Sequence, residues 1–180
     1  MGPSRGQRRP RRARYARCVT RQLWAPWRLE YVQHADADGR CIFCAALAGD
    51  DEEHLVVRRA RTAFVVVNRF PYASGHLMVA PVRHEGAFDG LADAEALELH
   101  QLASAAIAAL GAVYGPDGFN LGWNLGRVAG AGVVDHVHLH VVPRWSGDTN
   151  FMPVLADVKV LPEHLLETRR RVAEVWPGRD

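Results

Sequence analysis

The sequence predicts an α+β domain, a mainly antiparallel sheet with one long helix and one C-terminal helix packed on it. Three observations predict it. Apolar runs within residues 55–81 are joined by turns too short for the crossovers that parallel neighbours need. Apolar residues over 91–110 recur at helical spacing, uninterrupted by proline. Residues 134–142 end in strict alternation, the period of a strand with one buried face.

The elements follow in order. Cys41-Ile42-Phe43-Cys44 opens a brief helix over 42–48. Residues 55–59 and 62–68, rich in Val and Phe and split by a tight polar turn, read as a hairpin. Pro71 and Gly75 mark a loop, and 76–81 returns as a strand. Helix 91–110 ends at Gly111, with Gly115-Pro116 beyond. Residues 119–125 form a strand leading to a glycine-rich loop, 126–132. Residues 134–142 form the last strand, closed by Pro143. A loop over 145–153 precedes a helix near 162–175.

The 180 residues, 48% hydrophobic and 23% charged, suit one globular domain. No apolar run approaches the ~18–20 residues of a membrane span, so no membrane is expected. The basic N-terminus lacks the apolar core of an export signal. Charge divides the chain. Residues 1–17 hold seven arginines and no acid; taking these from 22 basic residues leaves 15 against 20 acidic ones, a formal −5. Residues 1–20 therefore read as a disordered, solvated Arg-rich arm. It lacks the aromatic interleaving that stacks on bases, so a nucleic-acid partner is not expected. Residues 21–40 form an aromatic extension. Trp24, Trp27 and Tyr31 need a surface to bury against, either the domain or a second subunit. Residues 41–180 form the main domain with a C-terminal extension. Three cysteines, Cys18, Cys41 and Cys44, without an export signal indicate a reducing cytoplasm rather than a disulfide framework. Cys41 and Cys44 then read as a metal or redox pair, and Cys18 has no assigned role.

Chemistry concentrates in His136-Val137-His138-Leu139-His140. Period two puts three imidazoles on one face and Val137, Leu139 and Val141 on the other. One buried histidine is usually structural, but three in a row repel if charged and each needs a partner if neutral. A metal site and a catalytic site remain, because neutral imidazole serves as ligand, nucleophile and acid–base near neutral pH. The glycine-rich loop running into this strand lets backbone N–H groups approach phosphate oxygens.

The signature resembles that of the histidine triad superfamily. The likeness covers most of residues 41–145 and includes Cys41-Ile42-Phe43-Cys44, Asn68-Arg69-Phe70-Pro71, Gly75-His76-Leu77-Met78 and Asn124-Leu125-Gly126. It implies a histidine triad fold that dimerises and binds a nucleotide at the sheet. It implies attack by His138 on an α-phosphate, giving a nucleotidyl-histidine, with His140 contacting phosphate or leaving group and His76 as an additional site histidine. Asn68 would contact the ribose, and Asn124 the phosphate or the nucleophile's surroundings. Gly130, Ala131, Gly132 and Arg127 would line the phosphate site, with Arg144 a second charge partner. Family members similar to this one carry zinc; here Cys41, Cys44, His84 and His136 would form the Cys₂His₂ tetrahedron.

Two flanking segments are similar to the bacterial diadenosine tetraphosphate phosphorylase branch: Trp24-Ala25-Pro26-Trp27-Arg28, and residues 141–152 with Trp145, which would stack on the base or close the pocket. That branch passes the nucleotidyl group to inorganic phosphate, yielding ATP and ADP. Ala131-Gly132, or Gly132-Val133, stands where the general family places Gln and a hydroxyl residue, in a loop one residue longer. His140 cuts the other way, since classic transferase branches carry Gln there. Hydrolysis of dinucleoside polyphosphates or nucleoside phosphoramidates, and non-catalytic nucleotide binding, stay open as alternatives.

Overall fold

Short turns force antiparallel neighbours, and the sheet obeys that rule throughout. The computed structural model describes residues 41–148 and 163–178. Helix α1 (Ile42–Ala48) leads into strands β1 (Val56–Arg59), β2 (Ala63–Val67) and β3 (Leu77–Pro81). Helix α2 (Asp93–Tyr114) follows, then β4 (Gly118–Trp123), β5 (Leu139–Arg144) and helix α3 (Leu165–Glu174). The five strands form one sheet in the order β1-β2-β3-β5-β4, every pair antiparallel. The expected arm (1–20), the aromatic extension (21–40) and the flanking segment beyond residue 148 lie outside the described residues, as does the start of the expected C-terminal helix.

The two faces of the sheet have different jobs. Helix α2 packs on β2, β3 and β5, burying Leu99, Leu102, Ala103, Ala106, Ala109 and Leu110 against Val65, Val79 and Val141. Each fully buried Leu or Val is worth roughly 1.5–3 kcal/mol. At 22 residues and mean hydropathy 1.4, α2 meets the length and composition of a membrane span, against the sequence expectation. Its apolar stripe is spent on the sheet. Helix α1 lies on the other face, where Phe43 meets Phe64 edge-on at 6.2 Å.

Two elements end where the sequence did not put them. Helix α2 passes through Gly111 and runs one turn beyond Leu110. A glycine there costs about 1 kcal/mol, but tertiary contacts offset it. Tyr114 donates to Glu163, Arg171 donates to the Val113 carbonyl at 3.2 Å, and Gly115 closes the helix in the left-handed region at φ 53°.

The last strand is displaced by five residues at its start. Residues 134–138 precede the ladder, which begins at Leu139 and runs through Pro143 to Arg144. The register of β3 would put Pro81 opposite residue 137, and proline has no N–H to give. Pro143 is tolerated because β3 pairing stops at Val141, so that side of β5 is locally an edge.

Candidate active site

The histidine strand delivers its side chains as the alternation required. His136, His138 and His140 are all buried, while Val137, Leu139 and Val141 point into the core. Met78 pairs with His140 across β3 and β5, and Gly122 faces it from β4, so the central sheet positions the triad.

His138 has a defined tautomer. Its Nδ1 lies 2.9 Å from the His136 carbonyl, which can only accept, so Nδ1 carries the proton. Nε2 keeps its lone pair. Burial pushes the His138 pKa below the ordinary histidine value, opposed by that hydrogen bond, and so holds the ring neutral. Phe43 covers it, ring centroids 4.8 Å apart, and His140 sits edge-on at 4.9 Å.

A second chain of bonds orders the neighbouring imidazoles. The Tyr72 backbone N–H donates to His76 Nδ1 at 3.0 Å, so neutral His76 carries its proton on Nε2. That nitrogen donates to His140 Nδ1 at 2.9 Å. His140 is left with an Nε2–H directed away from His76. The Asn124 Nδ2 group, 3.3 Å from His140 Nε2, also offers a donor. The backbone of Tyr72 cannot rotate whereas an amide can, so Tyr72 sets the direction and Asn124 turns its oxygen inward or yields to a ligand. Asn124 Nδ2 also reaches the Gly130 carbonyl at 3.4 Å, which ties the glycine-rich loop to His140. Gly126 and Gly130 adopt φ of 82° and 90°, a region that favours glycine.

Between α1 and the sheet opens a cleft of about 200 Å³, and Phe43 in its wall is the ring that covers His138. Ile42, Phe43, Val66, Asn68, Phe70 and Met78 line the cleft. The lining is mainly apolar, with Asn68, His54 and Arg69 as its polar groups, the mix of a small-molecule site. Asn68 is buried, its Oδ1 accepting from the Phe70 N–H at 2.9 Å and its Nδ2 3.3 Å from His76 Nδ1.

His136 faces away from this cleft, toward Cys41, Cys44 and His84. Its Nδ1 is 3.3 Å from Cys41 Sγ and 3.8 Å from Cys44 Sγ, and His84 Nδ1 is 3.2 Å from Cys44 Sγ. All four donor atoms lie within 4.8 Å of one another. A tetrahedral zinc with bonds of ~2.0–2.3 Å separates its donors by about 3.3–3.8 Å, so the set fits that ion. Both imidazoles also have outer partners. His136 Nε2 donates to the Pro81 carbonyl at 2.9 Å, and His84 Nε2 lies 3.6 Å from Asp135. Burial pushes the Cys41 thiol up to about 11, so it stays protonated unless a cation draws off the proton.

Two expected residues, Arg144 and Trp145, are not brought to this centre. Arg144 ends β5 and Trp145 follows it, at the end of the strand away from His138, on the order of 20 Å along the chain. Arg144 is held there by Asp148 at 2.5 and 2.8 Å and by Asn120 at 2.9 Å. Arg127 sits on an exposed turn of the loop. The sequence reading overlooked Phe43 and Tyr72. The first stands between the two cysteines, and the second lies in the aromatic loop Phe70-Pro71-Tyr72, where its ring stacks on His140 at 5.7 Å.

Comparison with known proteins bears on the family and the fold. The family model for the HIT domain matches residues 50–147, more than half of the chain. An AP-4-A phosphorylase of Mycobacterium tuberculosis is 40% identical over 163 residues, 86% of this chain and 84% of the relative. The chain belongs to the histidine triad family. A second histidine triad relative, adenosine 5'-monophosphoramidase of Schizosaccharomyces pombe, is 32% identical over 106 residues, 58% of this chain and 74% of the relative. Among solved structures, a histidine triad nucleotide-binding protein of Sulfolobus tokodaii matches with TM-score 0.60 and 23% identity, over 74% of this chain and 90% of its own. A zinc-bound histidine triad protein of Mycobacterium smegmatis matches with TM-score 0.60 and 21% identity, over 76% and 92%. These two likenesses establish the fold.

Proposed function

We propose that this histidine triad protein is a dinucleoside polyphosphate phosphorylase, converting diadenosine tetraphosphate and inorganic phosphate to ATP and ADP. The observation that carries the chemistry is the neutral, buried His138, its Nδ1–H held by the His136 carbonyl so that the lone pair stays on Nε2. The relative named AP-4-A phosphorylase supports the choice of substrate.

One adenosine enters the cleft under α1, with Asn68 at its ribose. His138 Nε2 attacks the α-phosphorus. A P–N bond forms, the P–O bond to the rest of the chain breaks, and ATP departs. His140 Nε2–H, with Asn124 and the loop at Gly130, Ala131 and Gly132, meets charge on the phosphate oxygens. Inorganic phosphate then attacks the same phosphorus, the P–N bond breaks, ADP leaves and His138 regains its lone pair. Splitting the displacement in two lowers each barrier. Arg127 is a loop cation for the incoming phosphate.

Cys41, Cys44, His84 and His136 would hold Zn²⁺. Bound there, the ion supplies a structural cross-link joining α1, the segment after β3 and the histidine strand. Its thiolates require the reducing cytoplasm. A homodimer fits the exposed edge strand β4, where Leu121 is solvent-facing.

Hydrolysis is the second reading, favoured by His140 itself and by the phosphoramidase relative. Product analysis separates them. ATP and ADP should form only with added phosphate; ATP and AMP at an equal rate in phosphate-free buffer would establish the hydrolase.

A further inference from the structure

The cleft and the metal-ligand cluster share one element, helix α1. It has seven residues, no side-chain cap at its N-terminus and no charge complementing either end. A helix that short is marginal unless its ends are tied down. Its C-terminal end is tied. Arg59 of β1 donates to the carbonyls of Leu47, Ala46 and Gly49 at 2.7, 3.0 and 3.2 Å. Its N-terminal end is held by Cys41 and Cys44 against His136 and His84. Between those ends, Ile42, Phe43, Ala45 and Ala46 wall the cleft. Phe43 touches both sites at once, its ring 5.0 Å from that of His136 and 4.8 Å from that of His138.

We infer that metal occupancy at Cys41, Cys44, His84 and His136 sets nucleotide affinity, by fixing the N-terminal end of α1 over the cleft. The inference rests on the nucleotide reading of the cleft proposed above. Without the ion, Arg59 still pins the far end, so α1 loses the position of its first turn rather than its place in the fold. A nucleotide binding to that looser wall must order it again. The coupling is reciprocal: whatever factor the metal adds to nucleotide affinity, the nucleotide adds to metal affinity.

The full-length protein, zinc-loaded and then stripped with a chelator, is titrated with AMP by calorimetry. Zinc affinity is measured by competition with a chromophoric chelator, with and without saturating AMP. AMP should bind the stripped protein at least about fivefold more weakly, recover when zinc is returned, and tighten zinc binding by the same factor. His84→Ala removes a half-exposed ligand; this variant should bind AMP like the stripped protein whether or not zinc is added. It supplies the comparison if stripping unfolds the wild type. Equal, measurable AMP affinity with and without zinc, both forms folded by circular dichroism, overturns the coupling and leaves the nucleotide reading standing. Failure of both forms to bind AMP overturns the coupling and the nucleotide reading together. A protein that takes up no zinc overturns the coupling alone.

Discussion

His138 owes its reactivity to what surrounds its two nitrogens. The His136 carbonyl fixes the proton on Nδ1, and burial keeps the ring neutral, so Nε2 is a nucleophile without a general base. His138→Ala should lower turnover of diadenosine tetraphosphate by at least about 10³-fold while AMP still binds. Unchanged turnover, measured by product chromatography, would remove the nucleophile. The alternation of residues 136–140 made the shared histidine face legible in the sequence. The division of labour within it came only from the family resemblance, and the contacts around each ring were not legible. Those depend on Tyr72, Pro81 and Cys41, which approach from other elements. The misplacement of Trp145 and Arg144 has the same origin. Nearness in sequence to a strand is not nearness to both of its ends.

At the scale of elements, the segment after β3 is the least regular part of the site and the most heavily braced. Arg83, next to His84, donates to Glu95 of α2 at 3.1 and 2.8 Å, to Glu85 at 2.7 Å and to the Gly90 carbonyl at 2.7 Å. The Glu85 carbonyl in turn accepts from the Val137 N–H at 2.6 Å, inside the histidine strand. Glu95 also accepts from the Ala92 N–H at 2.9 Å, half of a capping box whose other half an alanine cannot supply. Arg83 and that N–H hold the Glu95 carboxyl below its ordinary 4.5. A depressed carboxyl stabilises fully above its unfolded pKa and loses that contribution as pH falls through the folded value. Glu95→Gln should therefore cost about 1 kcal/mol at pH 7, discounted because Arg83 is half exposed, and flatten the acid limb of the stability curve. Denaturant melts between pH 3 and 7 check it; an acid limb as steep as wild type would count against the brace. None of this pairing was readable from residues 83–95, because charged residues in a loop look alike whether solvated or paired. The missed ends of β5 and α2 have equally local causes, a proline opposite the strand and contacts beyond a glycine.

The whole molecule reads as one sheet with a packing face and a working face. Helix α2 consumes one, and the triad, the cleft and α1 occupy the other. Hydrophobic periodicity carried that architecture in the sequence, and ordered motifs carried the family. What lay beyond both was the meeting of two sites on α1, where the Phe43 ring lies against His136 and His138 alike. The functional account depends on one covalent event. Intact-mass analysis and peptide mapping of the protein mixed with diadenosine tetraphosphate in phosphate-free buffer test it most directly. One adenylyl group should appear on His138, and added phosphate should release it as ADP. Turnover with no adduct, or an adduct on another residue, would contradict the account.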